Sequence, residues 1–142
     1  MATPDVIVQG AASGFAQSID VGQHHLVADE PTDAGGAGTG PSPYDLLAAA
    51  LGACTSMTIS YFARKRQWPL EWVNVRVRHA KVHAEDCATC ETKEGRIDRL
   101  ERTIELRGQL TADQRQELLR IADRCPVHRT LTSEIEIQTS LL

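Results

Sequence analysis

Basic residues are missing from the first 63 positions, where neither lysine nor arginine occurs. The acids Asp5, Asp20, Asp29, Glu30, Asp33 and Asp45 stand there against His24 and His25 alone, while all 15 basic residues follow from Arg64 onward. A nucleic-acid partner calls for a basic patch, so none is expected; Arg64-Lys65-Arg66 reads as a solvated helix end. The longest unbroken apolar run, around Leu46–Ala53, is too short to span a bilayer. Met1-Ala2-Thr3-Pro4-Asp5 has neither the basic flank nor the apolar run of a secretory leader, which makes a cytoplasmic protein the expectation. No lysine followed by serine or threonine comes after the glycine-rich stretch Gly35–Gly40, which excludes a phosphate-binding loop of the P-loop type. Ser56, Thr58 and Ser60 have no accompanying Ser-His-Asp arrangement, so hydrolysis is not expected. No internal repeat is present. A length of 142 residues suits one domain with a real core. Only 4 cysteines occur, and without a leader they point to chemistry or metal rather than to structural disulfides.

The elements alternate between strand and helix. Val6–Gln9, Phe15–Asp20 and His25–Ala28 read as short strands of a meander, punctuated by Gly10, Gly14 and Gly22. A flexible loop follows. Ser42-Pro43-Tyr44-Asp45 opens a helix, with Ser42 as N-cap, Pro43 in the first helical position and Asp45 in the first turn. The run Leu46–Arg66 is apolar on nearly every face until Tyr61, which predicts a buried central helix covered in part by a second subunit. Trp68-Pro69 ends it. Trp72–His83 alternates, with Val73, Val75 and Val77 on one face, and Ile97–Arg107 forms a second such strand. Thr111-Ala112-Asp113-Gln114 is a capping box that opens a helix running to Arg124, closed by Cys125-Pro126. Glu134–Thr139 alternates as a last strand. The order predicts an α+β domain.

Cys54 falls inside the long helix and Cys125 at the end of the second one. Read alone, each is as well explained as a small buried hydrophobe. The words around them are more specific. Gly40-Pro41-Ser42-Pro43-Tyr44-Asp45-Leu46-Leu47-Ala48-Ala49-Ala50-Leu51-Gly52-Ala53-Cys54 resembles the central-helix motif of the OsmC/Ohr family. Cys125-Pro126-Val127-His128-Arg129-Thr130-Leu131 is similar to that family's second cysteine motif, and Asp29-Glu30-Pro31 to its acidic turn. The resemblance runs from about His24 to Ile137. It implies an OsmC-like fold, in which a long central helix is wrapped by antiparallel sheet in an intertwined homodimer. It also implies thiol-dependent reduction of hydroperoxides, organic ones foremost, at sites on the dimer interface. Cys54 matches the peroxidatic cysteine and Cys125 the resolving one. An external dithiol is the implied reductant, and no cofactor is required. Cys125, read at a helix C-terminus, faces the negative end of the dipole and is expected to be the poorer nucleophile.

The chain departs from the peroxidases in one respect. They pair an N-terminal arginine with a glutamate beside the reactive cysteine. Here no arginine precedes Arg64, and Tyr44 stands in the place of the glutamate, with Asp45 one residue later. The cation beside Cys54 is therefore expected from Arg129, or from His24 or His25. His128 is expected to order the turn after Cys125. The alternative function is an OsmC-like domain without peroxidase activity that binds a ligand or senses redox state or metal. Cys87-Ala88-Thr89-Cys90 is a separate feature. It could supply half of a zinc site, joined by His79 or His83, a facultative disulfide, or an accessory redox pair.

Overall fold

The computed structural model of the protein describes residues 3–142. Met1 and Ala2, the head of the segment read as carrying no leader, lie outside the described residues. The chain divides into two compact units, Met1–Leu47 and Ala48–Leu142.

In the first unit, strands β1 (Val6–Gly10), β2 (Gln17–Val21) and β3 (His24–Ala28) form the expected antiparallel meander in the order β1-β2-β3. Strand β2 starts at Gln17 rather than Phe15, because a turn holding Gly14 N–H to the Ala11 carbonyl occupies the residues before it. Just past β3, Asp29 is buried and organises the glycine-rich loop. Its carboxylate accepts from the backbone N–H of Glu30 (2.8 Å), Ala37 (3.2 Å) and Thr39 (3.1 Å) and from the Thr39 hydroxyl (2.7 Å). These bonds, the Thr39 hydroxyl first, hold the carboxyl below its ordinary value against the opposing effect of burial. A Cβ at Gly36 would collide with the Glu30 carbonyl, and one at Gly40 with the Val27 carbonyl. The stretch that composition marks as flexible is thus a close-packed loop.

Helix α1 (Pro43–Lys65) opens as expected. The Ser42 hydroxyl accepts from Asp45 N–H (3.2 Å), and the Asp45 carboxylate accepts from Ser42 N–H (3.0 Å). Its end is a Schellman turn, with Trp68 N–H on the Ala63 carbonyl and Gln67 N–H on the Arg64 carbonyl, which places Gln67 in the left-handed region at φ 57°. The helix is 23 residues long and is by length and composition apolar enough to cross a membrane, which the run Leu46–Ala53 alone is not. The extra length comes from uncharged residues such as Thr55, Ser56, Thr58 and Ser60.

In the second unit, β4 (Leu70–His83) and β5 (Arg96–Gly108) form an antiparallel hairpin, with a bulge at Leu70/Trp72. Val73, Val75, Val77 and His79 alternate inward on β4, opposite Leu106, Ile104, Arg102 and Leu100 of β5. Helix α2 (Ala112–Ala122) starts on the expected Thr111–Gln114 capping box. The core combines Ile59 and Ala63 of α1 with Leu118, Ile121 and Ala122 of α2, flanked by Phe62, Trp68, Leu70, Val73, Ile104 and Leu106. Only a stripe of α1 is buried there: Leu51, Gly52, Thr55, Ile59 and Ala63. Met57 (71% exposed) and Tyr61 (54%) stand in the open.

Two expectations fail. Helix α2 does not run to Arg124; it closes at Ala122, and a short helix α3 (Pro126–Leu131) starts anew, because Pro126 fits the first position of a helix better than the position after one. Residues 134–142 form no strand. The alternation of Ile135 and Ile137 is real, but both side chains are exposed and no strand among the described residues pairs with the segment. Mixed α and β structure, antiparallel sheets and one long helix are all as expected.

Candidate active site

Helix α1 turns Leu51 and Thr55 inward, and Cys54 lies beside them at half-buried depth. Cys125 is fully buried at the break between α2 and α3. The two thiols are near enough to influence each other's ionisation. No disulfide joins them.

The break explains how Cys125 is held. Cys125 N–H reaches back to the Ala122 carbonyl (3.3 Å), and the Cys125 sulfur accepts from His128 N–H at 3.4 Å as the N-cap of α3. This corrects the expectation that Cys125 faces the negative end of a helix. It sits at the start of one, where backbone N–H groups point at the sulfur. Burial pushes the Cys125 thiol up, but hydrogen bonds from Cys54, His128 N–H, the Thr55 hydroxyl and Val127 N–H outweigh it, leaving the thiol below its ordinary value. Burial pushes Cys54 up, and the bond to Cys125 pushes it further, against smaller lowering contributions from Val127 N–H and Thr58.

A cation that the sequence reading did not single out is bonded to residues neighbouring the two cysteines. Arg102 of β5, its side chain only 12% exposed, donates from Nη1 to the Thr55 hydroxyl oxygen (3.0 Å) and the Ala122 carbonyl (3.2 Å). Its Nη2 donates to the Asp123 carboxylate at 2.7 Å. A groove of about 360 Å³ runs alongside, lined by Leu51, Leu100, Ile104, Leu119 and His128 with Arg102 and Asp123. Sequence reading missed Arg102, although a signal for it exists: it is a charge in the inward parity of β5, between Leu100 and Ile104.

Of the other residues singled out in the sequence, His128 is at the pair, through its backbone N–H, with its ring Nδ1 3.9 Å from Asp123. Arg129 is on α3 but exposed, and its guanidinium has no partner among the described residues, so the structure does not place it as the cation of Cys54. Asp45, Tyr44 and His25 belong to the first unit. The Asp45 carboxylate is taken up in capping α1, which holds it below its ordinary value through the Ser42 N–H and hydroxyl. Tyr44 is exposed in the first turn of α1. His25 pairs with Asp20 across β2 and β3 at 2.8 Å, and His24 faces Val21.

Cys87 and Cys90 are joined in a disulfide at the tip of the β4–β5 hairpin, with Cα atoms 5.5 Å apart. In this oxidised form neither sulfur is free to bind zinc. His79 is bonded to Asp98 at 2.8 Å, and among the described residues no group of three or more His, Cys, Asp or Glu is placed to hold a metal.

A family model described as OsmC-like protein matches residues 35–140. The chain is similar in fold to three solved structures, an OsmC-like protein of Mycoplasma pneumoniae, an organic hydroperoxide resistance protein of Legionella pneumophila and one of Bacillus subtilis. The first is 18% identical with a TM-score of 0.72, covering 92% of this chain and 87% of that one. The second is 22% identical with a TM-score of 0.67, covering 93% and 90%. The third is 19% identical with a TM-score of 0.64, covering 92% and 91%. No curated protein sequence matches the chain.

Proposed function

The chain belongs to the OsmC-like protein family, and on that premise we propose that it reduces hydroperoxides, organic ones foremost, with Cys54 as the peroxidatic and Cys125 as the resolving cysteine. The observation that carries this reading is a pair of free cysteines that influence each other's ionisation, one half-buried and one fully buried. A peroxide can reach the first and not the second. The Cys54 thiol gives up its proton and its sulfur attacks the terminal peroxide oxygen. The O–O bond breaks, leaving a sulfenic acid at Cys54, and the alkoxide takes up a proton and departs as an alcohol. Cys125 then attacks the Cys54 sulfur, the S–O bond breaks, and hydroxide leaves with a proton as water. The resulting disulfide is reduced by an external dithiol through exchange. Two solved relatives in fold are named for organic hydroperoxide resistance, which agrees with this substrate class. The reading places one OsmC-like domain in each chain of a homodimer.

Peroxide consumption driven by a dithiol tests it. Cys54→Ser is expected to fall to the uncatalysed background, and a rate equal to that of the wild type would remove Cys54 from the chemistry. A second reading, a redox-sensing OsmC-like domain without turnover, is favoured by the half-buried Cys87–Cys90 disulfide and by the lack of a basic residue before Arg64. It would show stoichiometric oxidation but no catalytic consumption.

A further inference from the structure

The hairpin that carries the Cys87–Cys90 disulfide is closed without it. Strands β4 and β5 pair from Trp72–Arg107 to His83–Arg96, and the Ala84 N–H donates to the Gly95 carbonyl (2.8 Å) just past the last pair. The disulfide joins residues with a sequence separation of 3, and a loop that short removes the least freedom from the unfolded chain. Cys87 and Cys90 are half-buried, while Ala88 and Thr89 between them and Asp86 and Glu91 on either side are exposed. A short disulfide at a solvent-facing turn, adding little to the fold, is of the kind that exchanges with other thiols.

The two cysteine pairs stand too far apart to exchange with each other inside one chain. Arg102 donates to the Thr55 hydroxyl (3.0 Å), next in sequence to Cys54, and pairs with Val77 of β4. From Val77 to His83 the strand climbs roughly 20 Å at about 3.3 Å per residue, and Cys87 lies beyond its end. Exchange needs one sulfur to touch another, so the partners of Cys87 and Cys90 come from solution.

The two sulfurs of the disulfide are not equivalent. The Thr89 hydroxyl lies 3.8 Å from the Cys87 sulfur. A disulfide sulfur has no proton to give, so the hydroxyl is the donor. That bond strengthens as negative charge develops on Cys87. Cys87 is thereby the better leaving group, and Cys90 is the sulfur to be attacked. The exposed acids Glu85, Asp86, Glu91 and Glu94 outnumber Lys93 and Arg96 around the turn, which disfavours anionic partners.

We propose that Cys87–Cys90 is a second thiol–disulfide exchange site, which takes small, non-anionic dithiols and disulfides and works independently of Cys54 and Cys125. A thiolate of the dithiol attacks the Cys90 sulfur, the S–S bond breaks, and Cys87 leaves as a thiolate facing the Thr89 hydroxyl and then takes a proton from water. The second thiolate of the reductant displaces Cys90, so the dithiol becomes a disulfide and the protein gains two thiols. A small disulfide runs the sequence backwards: Cys90 attacks it and expels one thiolate, and Cys87 closes on Cys90 and expels the other. The site goes beyond the peroxide chemistry and does not depend on it.

Differential alkylation with mass spectrometry reports each cysteine of the folded full chain separately. Stoichiometric dithiothreitol without denaturant is expected to open Cys87–Cys90, and hydroxyethyl disulfide to close it again, in the wild type and in Cys54→Ser alike. A disulfide that resists a large excess of dithiothreitol until the chain is unfolded would overturn the proposal by making it a structural link. Loss of exchange in Cys54→Ser would overturn its independence. With hydroxyethyl disulfide, Cys87→Ser should trap a mixed disulfide at Cys90, and Thr89→Val should slow the opening of the wild-type disulfide several-fold. No adduct at Cys90, or an unchanged rate in Thr89→Val, would overturn the assigned order of attack. Reoxidation by the anionic glutathione disulfide should speed up with added salt, and a rate that salt leaves unchanged would overturn the substrate class. A chain that exchanges here and consumes no peroxide would sink the peroxidase reading and leave this site standing.

Discussion

Cys125→Ser separates two roles that one side chain combines. Serine keeps an acceptor for His128 N–H at the N-cap of α3, so the local fold should survive. The resolving sulfur is gone, so one equivalent of peroxide should leave Cys54 as a sulfenic acid. Mass spectrometry after trapping with dimedone should find one adduct per chain, at Cys54; an unmodified Cys54 would contradict the assigned order of events. Asp29 offers a test in the first unit. Its carboxyl is held below the ordinary value, 3.8, chiefly by Thr39. A depressed carboxyl contributes stability that is complete above the unfolded value and is lost as pH falls through the folded one. The loop after β3 should therefore stay protected from proteolysis until pH falls through the lowered Asp29 value in the wild type, and Asp29→Asn should open it at neutral pH. Equal protection in both proteins would show that the loop does not depend on the charge. At this scale the sequence made Cys54 and Cys125 legible through the motifs around them. It did not reveal their surroundings, which depend on Pro126 starting a helix whose His128 N–H reaches the Cys125 sulfur.

Helix α1 ends on Gln67 in the left-handed region, which strains any residue with a Cβ. Gln67→Gly is expected to stabilise the protein by up to about 1 kcal/mol, because relief of strain outweighs the greater freedom glycine gains in the unfolded chain. Urea melts should show a higher midpoint, and a lower one would mean that the glutamine makes a compensating contact. Ile59→Ala removes a fully buried side chain from the seam between α1 and α2 and should cost about 2–5 kcal/mol in the same experiment. Elements with a strong period were readable to within a few residues. Strands β4 and β5 follow from alternation, and α2 from its capping box. Short elements were not. Helix α3 has 6 residues, too few to show a period, and Cys125-Pro126 reads equally well as the end of one helix or the start of another. Glu134–Thr139 shows the converse: alternation marks a segment that would fit a sheet edge, but a strand exists only where a neighbour pairs with it.

The whole chain exposes more apolar surface than one subunit comfortably carries. Met57 and Tyr61 of α1, Trp72 of β4 and Leu119 of α2 are all in the open. Helix α1 presents only one stripe to the core of its own unit, although it is apolar on most of its circumference. A second copy covering that surface would bury more than about 2,000 Å², the range of obligate interfaces. Light scattering at micromolar concentration should therefore give the mass of a dimer, and Met57→Glu should weaken it. A stable monomer would contradict this assembly. The central claim is that Cys54 and Cys125 form the reacting pair, and disulfide mapping tests it most directly. The reduced protein is treated with one equivalent of an organic hydroperoxide, quenched, digested without reductant and analysed by mass spectrometry. The expected result is a peptide linking Cys54 to Cys125 within one chain, formed with the loss of two thiols. Finding Cys87 linked to Cys90 while Cys54 remains reduced would contradict it and move the chemistry to the hairpin tip.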